Sequence, residues 1–196
     1  CALLDNASVK CWGLNNRGQL GIDNNTHMGK TSGSMAQLTG INLGTGRTAT
    51  AISAGVYHSC ALLDNASVKC WGLNDYGQLG IDNNTTMGDG SGQMAALTSI
   101  DLGTGRTATA ISTGLLSTCV LLDNASVKCW GQNGRGQLGI DNNIRMGDDS
   151  GEMALIPTVN LGTGRTATAI SAGDYHTCAL LDNASVKCWG YNNRGQ

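Results

Sequence analysis

Residues 60–72 read CALLDNASVKCWG. The same string opens at Cys1 and Cys178, and with a single change, CVLLDNASVKCWG, at Cys119. The period is 59 residues, and the first two copies differ at 14 of 59 aligned positions. Self-similarity at that spacing marks an array of small units, each unable to bury its apolar face alone. The units are 1–59, 60–118 and 119–177, and 178–196 begins a fourth. They read as one repeat array and as a segment of a longer chain. Residues common to all copies are expected to build the unit, which leaves no obvious seat for a unique catalytic centre.

Within the string, Asp64-Asn65-Ala66 is a turn between two short apolar runs. A three-residue loop sets Leu63 opposite Ser67, Leu62 opposite Val68 and Cys60 opposite Cys70. Alternation then places Cys60, Leu62, Val68 and Cys70 on one face, and Lys69 and Trp71 on the other. Opposed cysteines at a non-hydrogen-bonded pair lie close enough to bridge. The eight cysteines thus form four C-x9-C pairs: Cys1/Cys11, Cys60/Cys70, Cys119/Cys129 and Cys178/Cys188. Zinc knuckles are absent from the spacing, so buried free thiols are the competing reading. Bridges imply an oxidising compartment, extracellular or at a cell surface. Each would contribute about 2–3 kcal/mol and lock the hairpin register.

Working outward, Thr107–Ser112 (TATAIS) alternates with the two-residue period of a strand, and Thr118–Leu122 is a second run. SVKCW is the third strand and GQLGI a fourth, which makes a four-stranded antiparallel meander. No window carries a helical stripe. Asp82–Asp101 is polar and Gly-rich and reads as an excursion loop. The fold class is therefore all-β, with four-stranded blades in tandem.

Composition narrows function. Net charge is −2, Phe is absent and Gly numbers 29. Lys and Arg occur singly, which argues against a nucleic-acid partner. No apolar run reaches membrane-spanning length.

At CWGxNxxGQLG, preceded by AGxYHxCALLD, the chain resembles the regulator-of-chromosome-condensation repeat family. The matching residues include Gly173, His176, Leu180, Leu181, Trp189 and Gly190, and in the first unit Asn15, Gly18, Gln19, Leu20 and Gly21. The resemblance implies a β-propeller of four-stranded blades, normally seven to a ring. Two departures stand out. Ala7, Ala66, Ala125 and Ala184 replace a usual Gly, at about 1 kcal/mol each if the turn is left-handed. Ser117 replaces the usual His, so His58 and His176 read as makers of core or turn hydrogen bonds and not as repeated ligands. Nothing matches the nucleotide-exchange insertion of the family's best-known member. Trp12, Trp71, Trp130 and Trp189 all sit in CWG, outside the pattern of the photoreceptor branch. A secreted inhibitor on this fold implies that such propellers serve as extracellular protein binders.

Other candidate chemistry has a plainer reading. LGTGRTAT, with Arg47, Arg106 and Arg165, lacks a full phosphate-loop pattern and precedes a strand, so it is a turn with inter-blade or surface charges. Asp82, Asp89, Asp141, Asp148, Asp149 and Glu152 lack calcium-loop spacing and read as a solvated loop. Asn6, Asn65, Asn124 and Asn183 are sequons, and Asn24 and Asn83 add two more. They are glycosylation candidates or merely good turn formers. The three His are inconsistently placed. The expectation is no catalytic residue, no metal and no cofactor.

Two functions follow. The first is a non-enzymatic extracellular scaffold, in a surface structure or filament, whose partners are copies of itself or neighbouring repeats. The alternative is a secreted, closed propeller that binds a protein or glycan on one rim.

Overall fold

The computed structural model describes residues 1–196. Three sheets share one plan. The first joins β3 (Ala49–Ala54), β4 (His58–Leu63) and β5 (Val68–Gly72), the second β6 (Ala108–Thr113), β7 (Ser117–Leu122) and β8 (Val127–Gly131), and the third β9 (Ala167–Ala172), β10 (His176–Leu181) and β11 (Val186–Gly190). All pairings are antiparallel, with the middle strand in the centre. A fourth, two-stranded sheet pairs β1 (Ala2–Leu3) with β2 (Val9–Lys10). Each complete sheet straddles a cysteine seam of the sequence period, because its first strand comes from the preceding unit.

The hairpin register is the one expected: Cys60 opposes Cys70 and Leu62 opposes Val68. All four predicted cysteine pairs are bridged, with Cα atoms 4.0–4.1 Å apart. The turn closes with Leu63 N–H donating to the Ser67 carbonyl. Ala7, Ala66, Ala125 and Ala184 all take φ between 60° and 64°, the left-handed region. Ala66→Gly should therefore raise stability by about 1 kcal/mol, relief of strain exceeding the added entropy of the unfolded chain. Equilibrium denaturation checks this; an unchanged or lower midpoint would show that the alanine sits there without strain.

Three expectations need correction. The blades have three strands, not four: GQLGI forms no strand, and the outer edge is a single bridge, Gly72 to Met87, repeated as Gly13–Met28 and Gly131–Met146. The cause is local. Gly77 and Gly80 both sit at positive φ, and Asn74 accepts a bond from Leu79 N–H at 2.9 Å, which folds the segment into consecutive turns. The excursion is not a solvated loop either. It holds the helical turns α1 (Gln93–Ala96) and α2 (Glu152–Leu155) and, in the first unit, a 3-10 turn at Ser34–Gln37. Met94, Leu97 and Ile100 from it are buried in the core. Finally, of the two readings of Arg47, Arg106 and Arg165, the inter-blade one falls and the surface one holds. Each pairs with an Asp of its own hairpin turn, Asp64, Asp123 or Asp182, at 3.4–3.5 Å.

The core lies between sheets. Cys60, Leu62, Val68 and Cys70 of one sheet pack on Val120, Leu122 and Trp130 of the next. Val9 and Cys11 meet Ala61, Leu63 and Trp71 in the same way, and Leu121, Val127 and Cys129 meet Ala179, Leu181 and Trp189. Every sheet thus carries a cysteine face and a tryptophan face. At each seam one backbone carbonyl takes two donors. Gln78 O accepts from Trp130 Nε1 at 3.1 Å and from the Thr118 hydroxyl at 2.8 Å. Gln19 O accepts likewise from Trp71 and Ser59, and Gln137 O from Trp189 and Thr177. The indole lies on a glycine of the preceding unit. A Cβ on Gly80 would stand 2.7 Å from Trp130 Nε1, which explains the Gly.

Further ties cross the seams. Asp23 and Asp82 accept from the backbone N–H of Met94 and Met153, 71 residues away, at 2.8 Å each. Lys128 Nζ donates to the carbonyls of Leu102 and Met153 at 3.2 Å, and burial holds its pKa below the usual lysine range, an effect Asp101 opposes. The first strands, β3, β6 and β9, touch in succession, with Ser53 Oγ 2.8 Å from Thr113 Oγ1. Sheets that converge at their inner strands are wedges of a propeller, here a part of one.

Burial separates the disulfides into two kinds. Cys60, Cys70, Cys119 and Cys129 are fully buried, whereas Cys1 and Cys188 are exposed. Under native conditions a phosphine reductant should open Cys1–Cys11 and Cys178–Cys188 and spare the other two until the protein unfolds. Alkylation followed by mass mapping reads this out; simultaneous opening of all four would contradict the packing.

Candidate functional site

No three His, Cys, Asp or Glu side chains converge into a group able to hold a metal. Three of the six acidic candidates of the excursions, Asp82, Asp148 and Glu152, have structural tasks. Asp82 caps Met153, Glu152 Oε2 accepts from the N–H groups of Gly147, Asp148 and Asp149, and Asp148 pairs with Arg145. No helix is long and apolar enough to cross a membrane.

What distinguishes surfaces on this chain is how the copies vary. The strands end on two rims. One carries the hairpin turns and the loops that precede β3, β6 and β9. It is built from LGTGRTATAIS, identical at 43–53, 102–112 and 161–171, and from DNASVKCWG, identical in all four copies. Its sequon residues Asn6, Asn65, Asn124 and Asn183 are exposed, and each Oδ1 accepts from the hydroxyl of the Ser two residues on, at 2.7 Å. At Asn24 and Asn83, by contrast, Nδ2 already donates to a backbone carbonyl, of Ile22 and Ile81, at 2.9 Å.

The other rim carries the bends before β4, β7 and β10 and the loops that leave β5, β8 and β11. Here the copies diverge. Val56-Tyr57 becomes Leu115-Leu116 and then Asp174-Tyr175. Leu14, Leu73, Gln132 and Tyr191 are equivalent, as are Arg17, Tyr76, Arg135 and Arg194. Val56 and Tyr175 are well exposed, and so are Arg17, Arg135 and Arg194. Tyr191 N–H donates to the Tyr175 carbonyl, which fixes the two residues side by side at the sheet end. Their rings meet edge to face with centroids 6.3 Å apart, and the Arg135 guanidinium lies 4.5 Å over Tyr191. Asp174, Tyr175, His176, Tyr191, Asn193, Arg194 and Gln196 line a recess of about 460 Å³.

Beneath this rim a polar chain ties two sheets. Thr118 spends its proton on Gln78 O, so its oxygen must accept from His58 Nε2–H, 2.9 Å away. His58 is therefore the neutral Nε2–H tautomer, and burial pushes its pKa from 6.5 down to about 4. The expected core hydrogen bond of His58 is present. At the next seam Ser117 occupies the equivalent place, its hydroxyl buried without a partner. Ser117→His should restore the link to Thr177 and raise stability by about 1–2 kcal/mol. A lower melting temperature would show that the site has no room for the ring.

Along the sequence the individual rim positions, Arg17, Tyr76 and Arg135 among them, are only scattered points where copies differ. The sequence does not show that they share one edge. That follows from strand direction, since the residues before β4 and after β5 are brought together by antiparallel pairing.

Comparison with known proteins agrees with this architecture. The chain matches profiles described as the regulator of chromosome condensation (RCC1) repeat over residues 49–78, 108–137 and 167–196, and over 126–180. It is 29% identical over 195 residues to "Probable E3 ubiquitin-protein ligase HERC6" of Homo sapiens, an alignment covering 100% of this chain and 18% of that protein. It is 28% identical to "Protein pim1" of Schizosaccharomyces pombe, covering 96% of this chain and 34% of the relative. The structure of yeast RCC1 (Prp20) bound to Kap60 superposes with a TM-score of 0.70 at 20% identity, over 95% of this chain and 40% of that one. The chain thus spans 18% and 34% of the two relatives' lengths.

Proposed function

The chain belongs to the regulator of chromosome condensation (RCC1) repeat family, and from that premise we propose that it is part of a propeller that holds a protein partner on one rim. The rim is the one formed by residues 14–17, 55–57, 73–76, 114–116, 132–135, 173–175 and 191–194. The observation that carries this reading is the asymmetry between rims. Both are solvent-exposed, yet on one the hairpin turns and the LGTGRTATAIS runs are the same in every copy and only the residues just before those runs vary, whereas the other differs at nearly every outward position. A lattice contact repeated along a scaffold would require repeating surfaces. A single partner laid across several blades requires unlike ones. The wedge-like convergence of β3, β6 and β9 also favours a ring over a straight filament.

The four bridges point to an oxidising compartment, so the working location is outside the cell or on its surface. In that setting Asn6, Asn65, Asn124 and Asn183 are better glycan acceptors than Asn24 and Asn83, whose amide nitrogens are engaged. Glycans would then crowd the uniform rim and leave the diverse one open. The ligase activity in the name of the human relative belongs to a protein of which this chain covers 18%, and it forms no part of the proposal.

The test is a footprint. A displayed library of peptides and small folded domains is selected against the chain, and the bound ligand is mapped by hydrogen exchange. Protection confined to the diverse rim is the expected result. Protection at Asp64–Ser67 and its copies would overturn the assignment.

A further inference from the structure

We infer that the part of this rim around Arg135, Tyr175, Tyr191 and Arg194 receives an acidic protein segment. The inference rests on the protein-binding reading above and adds the partner's chemistry. Its observation is separate: the distribution of unpaired charge. The chain has seven arginines. Arg47, Arg106, Arg145 and Arg165 each have a carboxylate within 4 Å. Arg17, Arg135 and Arg194 have none, and all three occupy the same equivalent position on the diverse rim.

Arg135 is not a freely waving side chain. Its guanidinium lies over the Tyr191 ring, and Tyr191 meets Tyr175 edge to face. A guanidinium held on a ring face yet exposed to solvent keeps N–H groups to offer a carboxylate, in bidentate fashion where the fork is presented. Ordering that most ion pairs must supply on binding is already supplied here. The two tyrosines add rigid apolar area beside the charge, and Tyr with Arg is the composition enriched where binding energy concentrates. Asn193 Nδ2 donates to the Tyr191 hydroxyl.

Counting side chains, the local balance is positive, with Arg135 and Arg194 against the carboxylate of Asp174, on a chain whose net charge is −2. A phosphate polymer is the poorer fit. Lys69 and Lys128 are buried between sheets, and the free arginines recur one per blade instead of forming a run. A peptide presenting Asp or Glu beside apolar residues matches both the forks and the rings.

The experiment is a random peptide array probed with the intact, oxidised chain at physiological salt, beside a single-stranded oligonucleotide. Peptides rich in Asp and Glu should dominate those retained. Arg135→Gln and Tyr191→Gln should each weaken retention about tenfold or more. Arg106→Gln, on the uniform rim, should leave it unchanged. Retained peptides without acidic excess, acidic peptides indifferent to both rim variants, or preference for the oligonucleotide would each overturn the inference. The failures are distinguishable: non-acidic peptides bound through the same rim would leave the protein-binding proposal standing, whereas retention of no peptide would bring down both.

Discussion

Trp130→Ala will cost about 3–5 kcal/mol, enough to threaten a domain of ordinary stability. The side chain is fully buried and packs between two sheets, against Cys60, Leu62, Val68 and Cys70 of the one before. Truncation removes that apolar contact and leaves a void over Gly80 that neither sheet fills without shifting. It also removes one of the two donors to the Gln78 carbonyl, although Thr118 keeps that oxygen paired. The matching substitution at Trp12 supplies the control. Trp12 occupies the same place in the repeat but is 45% exposed, with no sheet of this chain against it. Its truncation should cost less than about 1 kcal/mol. Guanidinium denaturation of both variants measures the difference. Equal costs would mean that the indole stabilises its own sheet and not the seam.

Acid should weaken the protein through His58. Its pKa is about 4 in the folded chain and 6.5 when unfolded. Between those values the unfolded state binds the extra proton, so stability declines as pH falls through 6.5 and the loss is complete near pH 4. A displacement of that size corresponds to about 3 kcal/mol. The proton has nowhere favourable to go. Nε2–H is already committed to Thr118, and Nδ1 is buried without a partner, so a second N–H there would be an unpaired charge. Carboxylates titrate in part of the same range, so the comparison must be with His58→Ser, which copies the natural arrangement at Ser117. The variant should be less stable at pH 7 and lose much less on acidification. Parallel stability curves for the two proteins from pH 7 to pH 4 would remove His58 as the cause.

Local pattern was enough to read the hairpins. A string that alternates with period two, turns at Asp64–Ala66 and places like residues opposite each other admits one register, and Cys60–Cys70 follows from it. The left-handed alanines were also legible, as a departure from the Gly expected there. The family resemblance rested on the same positions. What could not be read locally was anything made between units. Trp71 finds its acceptor 52 residues earlier, and Asp82 caps a helical turn 71 residues later. Neither separation leaves a trace in a window of a dozen residues.

The fourth strand failed for a related reason. GQLGI has strand-like letters, yet Asn74 and the positive-φ glycines bend it to present Gln78 O to the next sheet. The excursion did carry a signal that composition masked. Met35, Met94 and Met153 recur at the period in a stretch otherwise variable and polar. Met94 and Met153 are buried because a preceding sheet covers them, and Met35, which has none, is 46% exposed. The functional rim was the least legible, because divergence along a sequence is scattered and becomes a patch only when strands align it.

The two unlike sheet faces give the assembly a direction. A cysteine face accepts only a tryptophan face, because the glycine shelf and the Gln carbonyl that receive the indole belong to the preceding unit. Two sheets set with their tryptophan faces together would oppose indole to indole with no shelf for either. Successive sheets therefore pack head to tail, each in the same sense.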